Sequence, residues 1–372
     1  MVLDDLETPA LVLDKQRLAV NTAAMTQRMK YLGVGLRPHL KTAKSVEVAR
    51  MALDGNFGGV TVSTLAEAVY FLDHGIRDIT YAVCIVPTKL DAAAALSERG
   101  ADLKLITDNP EAARAIAEHA ESHQVLVEID CGEHRTGVAP DSNALLAIAD
   151  TINRSERSRI VGVLTHAGHS YLCRNREEME AVADDERLAA VTAVERLKSA
   201  GHDCSVVSVG STPTATFAKS LAGVSEARPG VYVFMDLFQA GIGVCSCSDI
   251  ALTVLASVIA HRPEVNELIL DAGGLALSKD RSTQALGEDC GYGLVCDVIT
   301  AEPISGLVVA GVHQEHGQVT SPSPIPFERL PVGTKVRVMP NHACMTAAAH
   351  DTYNVIDGGI DIVATWDRCH GW

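Results

Sequence analysis

The chain has 372 residues, 47% hydrophobic, 21% charged and only 4% aromatic, so an aliphatic core fills without metal or disulfide help, and the length exceeds one average domain. A formal net charge of −16 repels phosphate backbones and anionic lipid surfaces, which argues against nucleic acid or a membrane as partner. The opening MVLDDLETPALVLD has neither the basic flank nor the apolar segment of a signal peptide, and the run Ile250 to Ala260 is too short to span a bilayer, so a cytoplasmic protein is expected.

From about residue 15, β-branched runs alternate with helical periodicity. Extended segments are predicted at Gly35 to Lys41, Gly59 to Thr64, Asp78 to Val83, Asp102 to Thr107, Val125 to Cys131, Ile160 to His166, Ser205 to Ser211 and Glu226 to Phe234. Ser45 to Leu53, Leu65 to His74, Pro110 to His123 and Asp184 to Ala200 carry amphipathic spacing between them. Such alternation implies crossover connections and a parallel sheet, and eight strands suffice for a (β/α)8 TIM barrel. After about Cys245, strand-like runs follow one another with few helices: Ala251 to His261, Glu267 to Asp271, Ile304 to Val312, Lys335 to Met339 and Ile360 to Trp366. A second, mainly β domain is therefore expected. The ten cysteines, spread from Cys84 to Cys369, read as structural thiols, Cys245 and Cys247 included.

Reacting groups in such barrels sit at the C-terminal ends of strands, and phosphate is commonly held after the seventh and eighth. The seventh run ends VSVGSTPTA, where Gly210, Ser211 and Thr212 precede a helix-prone stretch and form a candidate anion cradle that Gly230 and Tyr232 would complete; an ordinary turn is the competing reading. The first run ends RPHLKT, placing Lys41 at the same rim, where lost solvation would make its amine a nucleophile; Lys104 in DLKLITD competes for that role. A rim lysine beside a phosphate cradle points to pyridoxal phosphate. In PNHACMT, His342 and Cys344 stand two apart, so an extended segment would aim both at one ion, zinc by preference, against the alternative of a core thiol beside a hydrogen-bonded histidine. Arg135, in EIDCGEHRTGV, suits a pyridine nitrogen, a carboxylate or an exposed salt bridge, and His166, His169 and Tyr171 in THAGHSY are candidates for ring stacking or proton relay.

ETPALVLD, RPHLKTAKS, GGVTVSTLAEA, EIDCGEHRTGV, VSVGSTPTA, ARPGVYVFMD, QEHG and PNHACMT together resemble the fold-type III pyridoxal phosphate enzymes. The resemblance is to the branch of D-serine dehydratase, D-threo-3-hydroxyaspartate dehydratase and D-threonine aldolase; ATWDRCHGW and THAGHSY are most like the D-threo-3-hydroxyaspartate dehydratases. It implies an alanine racemase-like barrel over residues 15 to 245 and a β domain of residues 1 to 14 plus 246 to 372. It also implies the cofactor on Lys41, Arg135 by the pyridine nitrogen, phosphate on Ser211, Thr212, Gly230 and Tyr232, a divalent metal (zinc, with manganese or cobalt as alternatives) on His342 and Cys344, and a homodimer. The expected substrate is a small D-3-hydroxy amino acid, dehydrated to a 2-keto acid and ammonia. Aldolase relatives carry aspartate where this chain has Cys344, which tips the expectation to elimination over retro-aldol cleavage. An amino-acid racemase would not need the metal pair, and non-catalytic pyridoxal phosphate carriers lack a second domain.

Overall fold

The computed structural model describes residues 1–372, which divide into two compact units: Ala24–Gly230 with Cys369–Trp372, and Met1–Ala23 with Val231–Arg368. The first holds eight parallel strands, Gly35–Leu36, Val60–Val62, Asp78–Cys84, Asp102–Thr107, Gln124–Ile129, Arg159–Thr165, Val206–Val209 and Glu226–Ala227, and from Val60–Val62 onward each is hydrogen-bonded to the next in chain order. Glu226–Ala227 pairs with Gly35–Leu36, and a parallel bridge between His39 and Thr61 joins the remaining ends. There Leu40 N–H donates to Thr61 O at 2.9 Å and Thr61 N–H to Pro38 O at 3.0 Å, closing the row into a ring. The expected eight-stranded β/α barrel is thus the architecture.

Several of the helices between these strands start on side-chain caps. Thr64 Oγ1 accepts Glu67 N–H at 3.0 Å, Asn109 caps Pro110–Glu118, and Asn175 caps Arg176–Ser199. That last cap starts the longest barrel helix well before the expected Asp184. Helix Pro110–Glu118 ends before the expected His123, because His119 adopts an extended conformation. The predicted strand Glu226 to Phe234 is cut to Glu226–Ala227: Pro229 has no N–H to continue a ladder, and Val231–Val233 coil into a 3-10 turn.

The second unit is a nine-stranded sheet in the order Glu267–Leu270, Gly317–Thr320, Pro303–Val312, Gly293–Cys296, Lys335–Pro340, Leu252–Arg262, Ala10–Asp14, Thr352–Ile356, Ile362–Asp367. Glu267–Leu270 also pairs with Leu252–Arg262, which rolls the first six strands into a small barrel. Ala10–Asp14, buried along its whole length, lies between Leu252–Arg262 and Thr352–Ile356. The division of the chain falls at Gly230 instead of residue 245 because Phe238 N–H and the Asp236 carboxylate bond to Asn341 O and Ala343 N, fastening the short helix Leu237–Gly241 to the β unit. All ten cysteines are free thiols; Cys290 and Cys296 pack with Leu237, Ile250 and Met339, and burial pushes the Cys245 and Cys247 thiols up. No helix is long and apolar enough to cross a membrane.

Candidate active site

A cavity of about 200 Å³ opens among the C-terminal ends of the barrel strands. His39 and Lys41 enter it after the first strand, Cys84 from the third, Glu128, Arg135 and Thr136 from the fifth and its loop, His166 from the sixth, Gly210 from the seventh and Arg228 from the eighth. Lys41 is presented by a tight turn in which Lys44 N–H reaches Leu40 O at 2.7 Å, with Lys44 itself at φ +50°. Lys41 is exposed at the mouth of that cavity.

Two imidazoles flank that amine. Burial, then the positive charge of Lys41, holds His166 down to about 3, and its Nδ1 lies 3.0 Å from Gly210 O. Nδ1 therefore carries the proton and donates, and Nε2 keeps its lone pair. His39 is pushed well below the ordinary histidine range by burial, Lys41, Arg228 and His166, so both rings are neutral at neutral pH. Arg228 is 4% exposed; its Nη1 donates to Ser208 Oγ at 2.6 Å and its Nη2 to Thr165 O. Burial lowers its pKa to about 10, which still leaves a fixed cation in the wall. Arg135, by contrast, is exposed, 3.4 Å from Glu133. Glu128 accepts from the Cys84 thiol and the Thr136 hydroxyl, both at 2.9 Å; burial, then Glu128, raises the Cys84 pKa and keeps that thiol protonated.

Gly210 and Gly230 leave backbone surfaces that a side chain would fill. A Cβ on Gly210, at φ +123°, would sit 2.9 Å from Arg228 N, and one on Gly230 would sit 3.0 Å from His39 O and 3.3 Å from Thr42 Oγ1. Ser211 caps the helix Thr212–Phe217, accepting Thr214 N–H at 3.2 Å with Ser170 Oγ 2.8 Å away. Bare backbone, hydroxyls, a tethering amine and a buried guanidinium fit a small phosphorylated aldehyde. Of the expected cofactor residues, Lys41, Arg135, His166 and Gly210 line one cavity, and Ser211, Thr212 and Gly230 adjoin it in sequence. Tyr171 lies on the turn Gly168–Leu172, its carbonyl taken by Arg174, and is not part of the cavity wall. Tyr232 belongs to the other unit, where burial raises its phenol pKa.

In the β unit, His342 and Cys344 do come together, though not by strand alternation. The strand Lys335–Pro340 stops at its proline, Asn341 Nδ2 bonds to Gly291 O at 2.8 Å and Thr283 Oγ1 at 2.7 Å, and His342 becomes the N-cap of helix Ala343–Ala347. Cys344 thus stands in the first turn. Asp236, 1% exposed, takes Ala343 N–H at 2.9 Å, and Asp280 Oδ2 lies 2.6 Å from His342 Nδ1. Burial would lower the His342 pKa, but Asp280, Cys344 and Asp236 outweigh it and raise it to about 11. A histidine whose Nδ1 rests on a carboxylate offers Nε2 outward, the arrangement that orients ligating imidazoles; with a thiol and surplus negative charge beside it, this donor set fits a divalent cation.

Sequence reading missed His39, Arg228 and Glu128, although each lies inside a stretch singled out for other residues. Asp236 likewise closes the stretch ARPGVYVFMD, whereas Asp280 left no signal, standing in sequence far from His342.

Comparison with known proteins places this geometry. The alanine racemase N-terminal domain matches residues 13–237, and a putative serine dehydratase domain matches residues 251–356. The D-threo-3-hydroxyaspartate dehydratase of Delftia sp. (strain HT23) is 47% identical over 99% of this chain and 98% of its own length. The chain belongs to that dehydratase family. Other family members similar to it are the D-serine dehydratase of Dictyostelium discoideum, 31% identical over 100% of this chain and 98% of that protein, and the D-threonine aldolase of Arthrobacter sp., 30% identical over 95% and 90%. The solved structure of the Delftia dehydratase superposes with a TM-score of 0.96 at 46% identity, covering 100% of both chains. A cysteine-to-alanine mutant of that family member, described as being in the metal-free form, superposes equally well.

Proposed function

We propose that the chain is a pyridoxal phosphate- and metal-dependent dehydratase converting a D-3-hydroxy amino acid (D-threo-3-hydroxyaspartate, D-serine or D-threonine) to a 2-keto acid and ammonia. The observation that carries this reading is the His342–Cys344 pair oriented by Asp280, in a chain whose barrel cavity opens on Lys41. Racemisation at Cα has no use for a Lewis acid, whereas departure of a β-hydroxyl does.

Lys41 would hold the cofactor through its amine, with Gly210, Ser211, Thr212 and Gly230 around the phosphate, Arg135 by the pyridine nitrogen, and His166 beside the ring. His342 and Cys344 would hold the metal; imidazole with thiolate favours zinc, and manganese or cobalt are the alternatives. When bound, the cofactor supplies an electron sink for a bond at Cα and the metal a Lewis acid for the β-hydroxyl. Lys41 Nζ would be the base that takes the Cα proton. His39 and His166, uncharged at neutral pH, leave Lys41, Arg135 and Arg228 as the cations lining the cavity. Loss of water from the substrate leaves an enamine, whose hydrolysis releases the keto acid and ammonia. The protein works as a homodimer, as its resemblance to the family implies and sedimentation checks, and its proposed location is the cytoplasm.

A panel of D- and L-3-hydroxy amino acids, assayed for keto acid, ammonia and aldehyde with and without chelator, tests the reaction. Equal keto acid and ammonia from a D-substrate, abolished by chelator and by Lys41→Ala, is the expected result. Glycine plus aldehyde without ammonia would replace it with the aldolase reaction, and racemisation that survives the chelator with a racemase.

A further inference from the structure

Glu186 is 1% exposed in the middle of helix Arg176–Ser199, an unusual place for a carboxylate. Its Oε1 accepts two backbone N–H groups, Ala167 at 2.8 Å and Gly210 at 3.0 Å, which lie at the ends of two neighbouring barrel strands. The Thr214 side chain bonds to the same carboxylate. Gly210 in turn offers its carbonyl to His166 Nδ1 at 3.0 Å. One buried group therefore gathers the loop carrying His166 and the Gly210–Thr212 turn, and the hydrogen bonds run on to the imidazole in the cavity wall. Burying a carboxylate is costly, and a leucine or methionine would pack the helix without that cost. What an apolar residue cannot do is hold the Ala167 and Gly210 amides.

We propose that Glu186 is a positioning residue: it fixes the Gly210–Thr212 turn for the cofactor's phosphate and keeps the His166 proton on Nδ1, with Nε2 bare toward the cavity. The first part rests on the pyridoxal phosphate reading above; the second does not.

Glu186→Met fills the same space without an acceptor, and Glu186→Gln retains Oε1. Pyridoxal phosphate and pyridoxal, which lacks the phosphate, are titrated into each variant, and the His166 tautomer is read by nitrogen NMR in protein stripped of cofactor. For Glu186→Met, pyridoxal phosphate binding weakens about tenfold or more, as expected for a lost hydrogen bond to a charged group, while pyridoxal binding is unchanged. Its His166 becomes a mixture of tautomers, and Glu186→Gln restores both properties. Equal weakening of the two ligands, or no weakening, together with an unchanged tautomer, overturns the proposal and leaves Glu186 a packing residue. Wild-type protein that binds neither ligand defeats the proposed function instead, and the tautomer then decides the role of Glu186. Should Glu186→Met fail to fold, hydrogen exchange on the wild type decides: slow Ala167 and Gly210 amides support the proposal, and fast ones overturn it.

Discussion

Arg37→Met should loosen the barrel at the strands that present Lys41 and Gly230. Arg37 is 2% exposed, with Nε donating to Glu226 Oε2 at 2.7 Å and Nη1 and Nη2 to the Asp78 oxygens at 2.8 and 3.0 Å. It thereby ties the first strand to the last and to the third. Glu226 is 5% exposed and, without Arg37, keeps one hydrogen bond, from the Ser208 hydroxyl at 2.6 Å, and the more distant charge of Arg228. Asp78 loses less, because its side chain is 30% exposed and retains Lys104 Nζ at 3.0 Å. Stranding one buried charge costs about 3–5 kcal/mol, nearly all of it here at Glu226. With about 2–4 °C of melting temperature per kcal/mol for a unit of this size, the variant melts roughly 6–20 °C lower. Urea and thermal unfolding at neutral pH measure both quantities, and Arg37→Met combined with Glu226→Gln should recover much of the loss by removing the stranded charge. A single variant that melts within about 1 °C of wild type would refute the role assigned to this network.

The same network makes acid stability predictable. Burial raises the Asp78 pKa, but the Arg37 hydrogen bond and charge, then Lys104, outweigh it and hold the carboxyl below its ordinary 3.8. Its stabilisation is complete above that value and is lost as pH falls through the lower folded-state pKa, so Asp78→Asn should flatten the acid limb of a plot of urea midpoint against pH. Gly210→Ala places a Cβ 2.9 Å from Arg228 N at a backbone φ of +123°; it should cost about 1–2 kcal/mol in thermal unfolding and weaken pyridoxal phosphate binding while metal content is unchanged. Asp280→Asn leaves His342 without its orienting carboxylate, and metal affinity, measured by competition with a chelator, should fall about 10–100-fold with little change in melting.

The barrel was legible because each strand is a short β-branched run separated from the next by a helix, and Lys41 because the rim rule locates the end of the first strand. What failed was locally ambiguous or non-local. Gly293–Cys296, Gly317–Thr320 and Thr352–Ile356 went unnoticed, being only four or five residues long and taking their definition from their neighbours in the sheet. His342 and Cys344 converge as the sequence suggested, but through the start of a helix set by Asp236, whose carboxylate comes from a different element. Arg228 was passed over because spacing does not reveal that its guanidinium is buried in the cavity wall. Glu186 reads as one more acidic residue on a charged helix, and only the barrel's curvature brings the Ala167 and Gly210 amides to its carboxylate.

The strand Ala10–Asp14 has a bearing on how the protein is made. ALVLD is translated ahead of the barrel, yet both of its partners, Leu252–Arg262 and Thr352–Ile356, are translated only after it. An apolar, fully sheet-competent segment therefore waits unpaired through most of synthesis, the situation in which nascent chains aggregate or recruit chaperones. Moving those residues to the far end by circular permutation would shorten the wait, and the yield of soluble protein would register the difference.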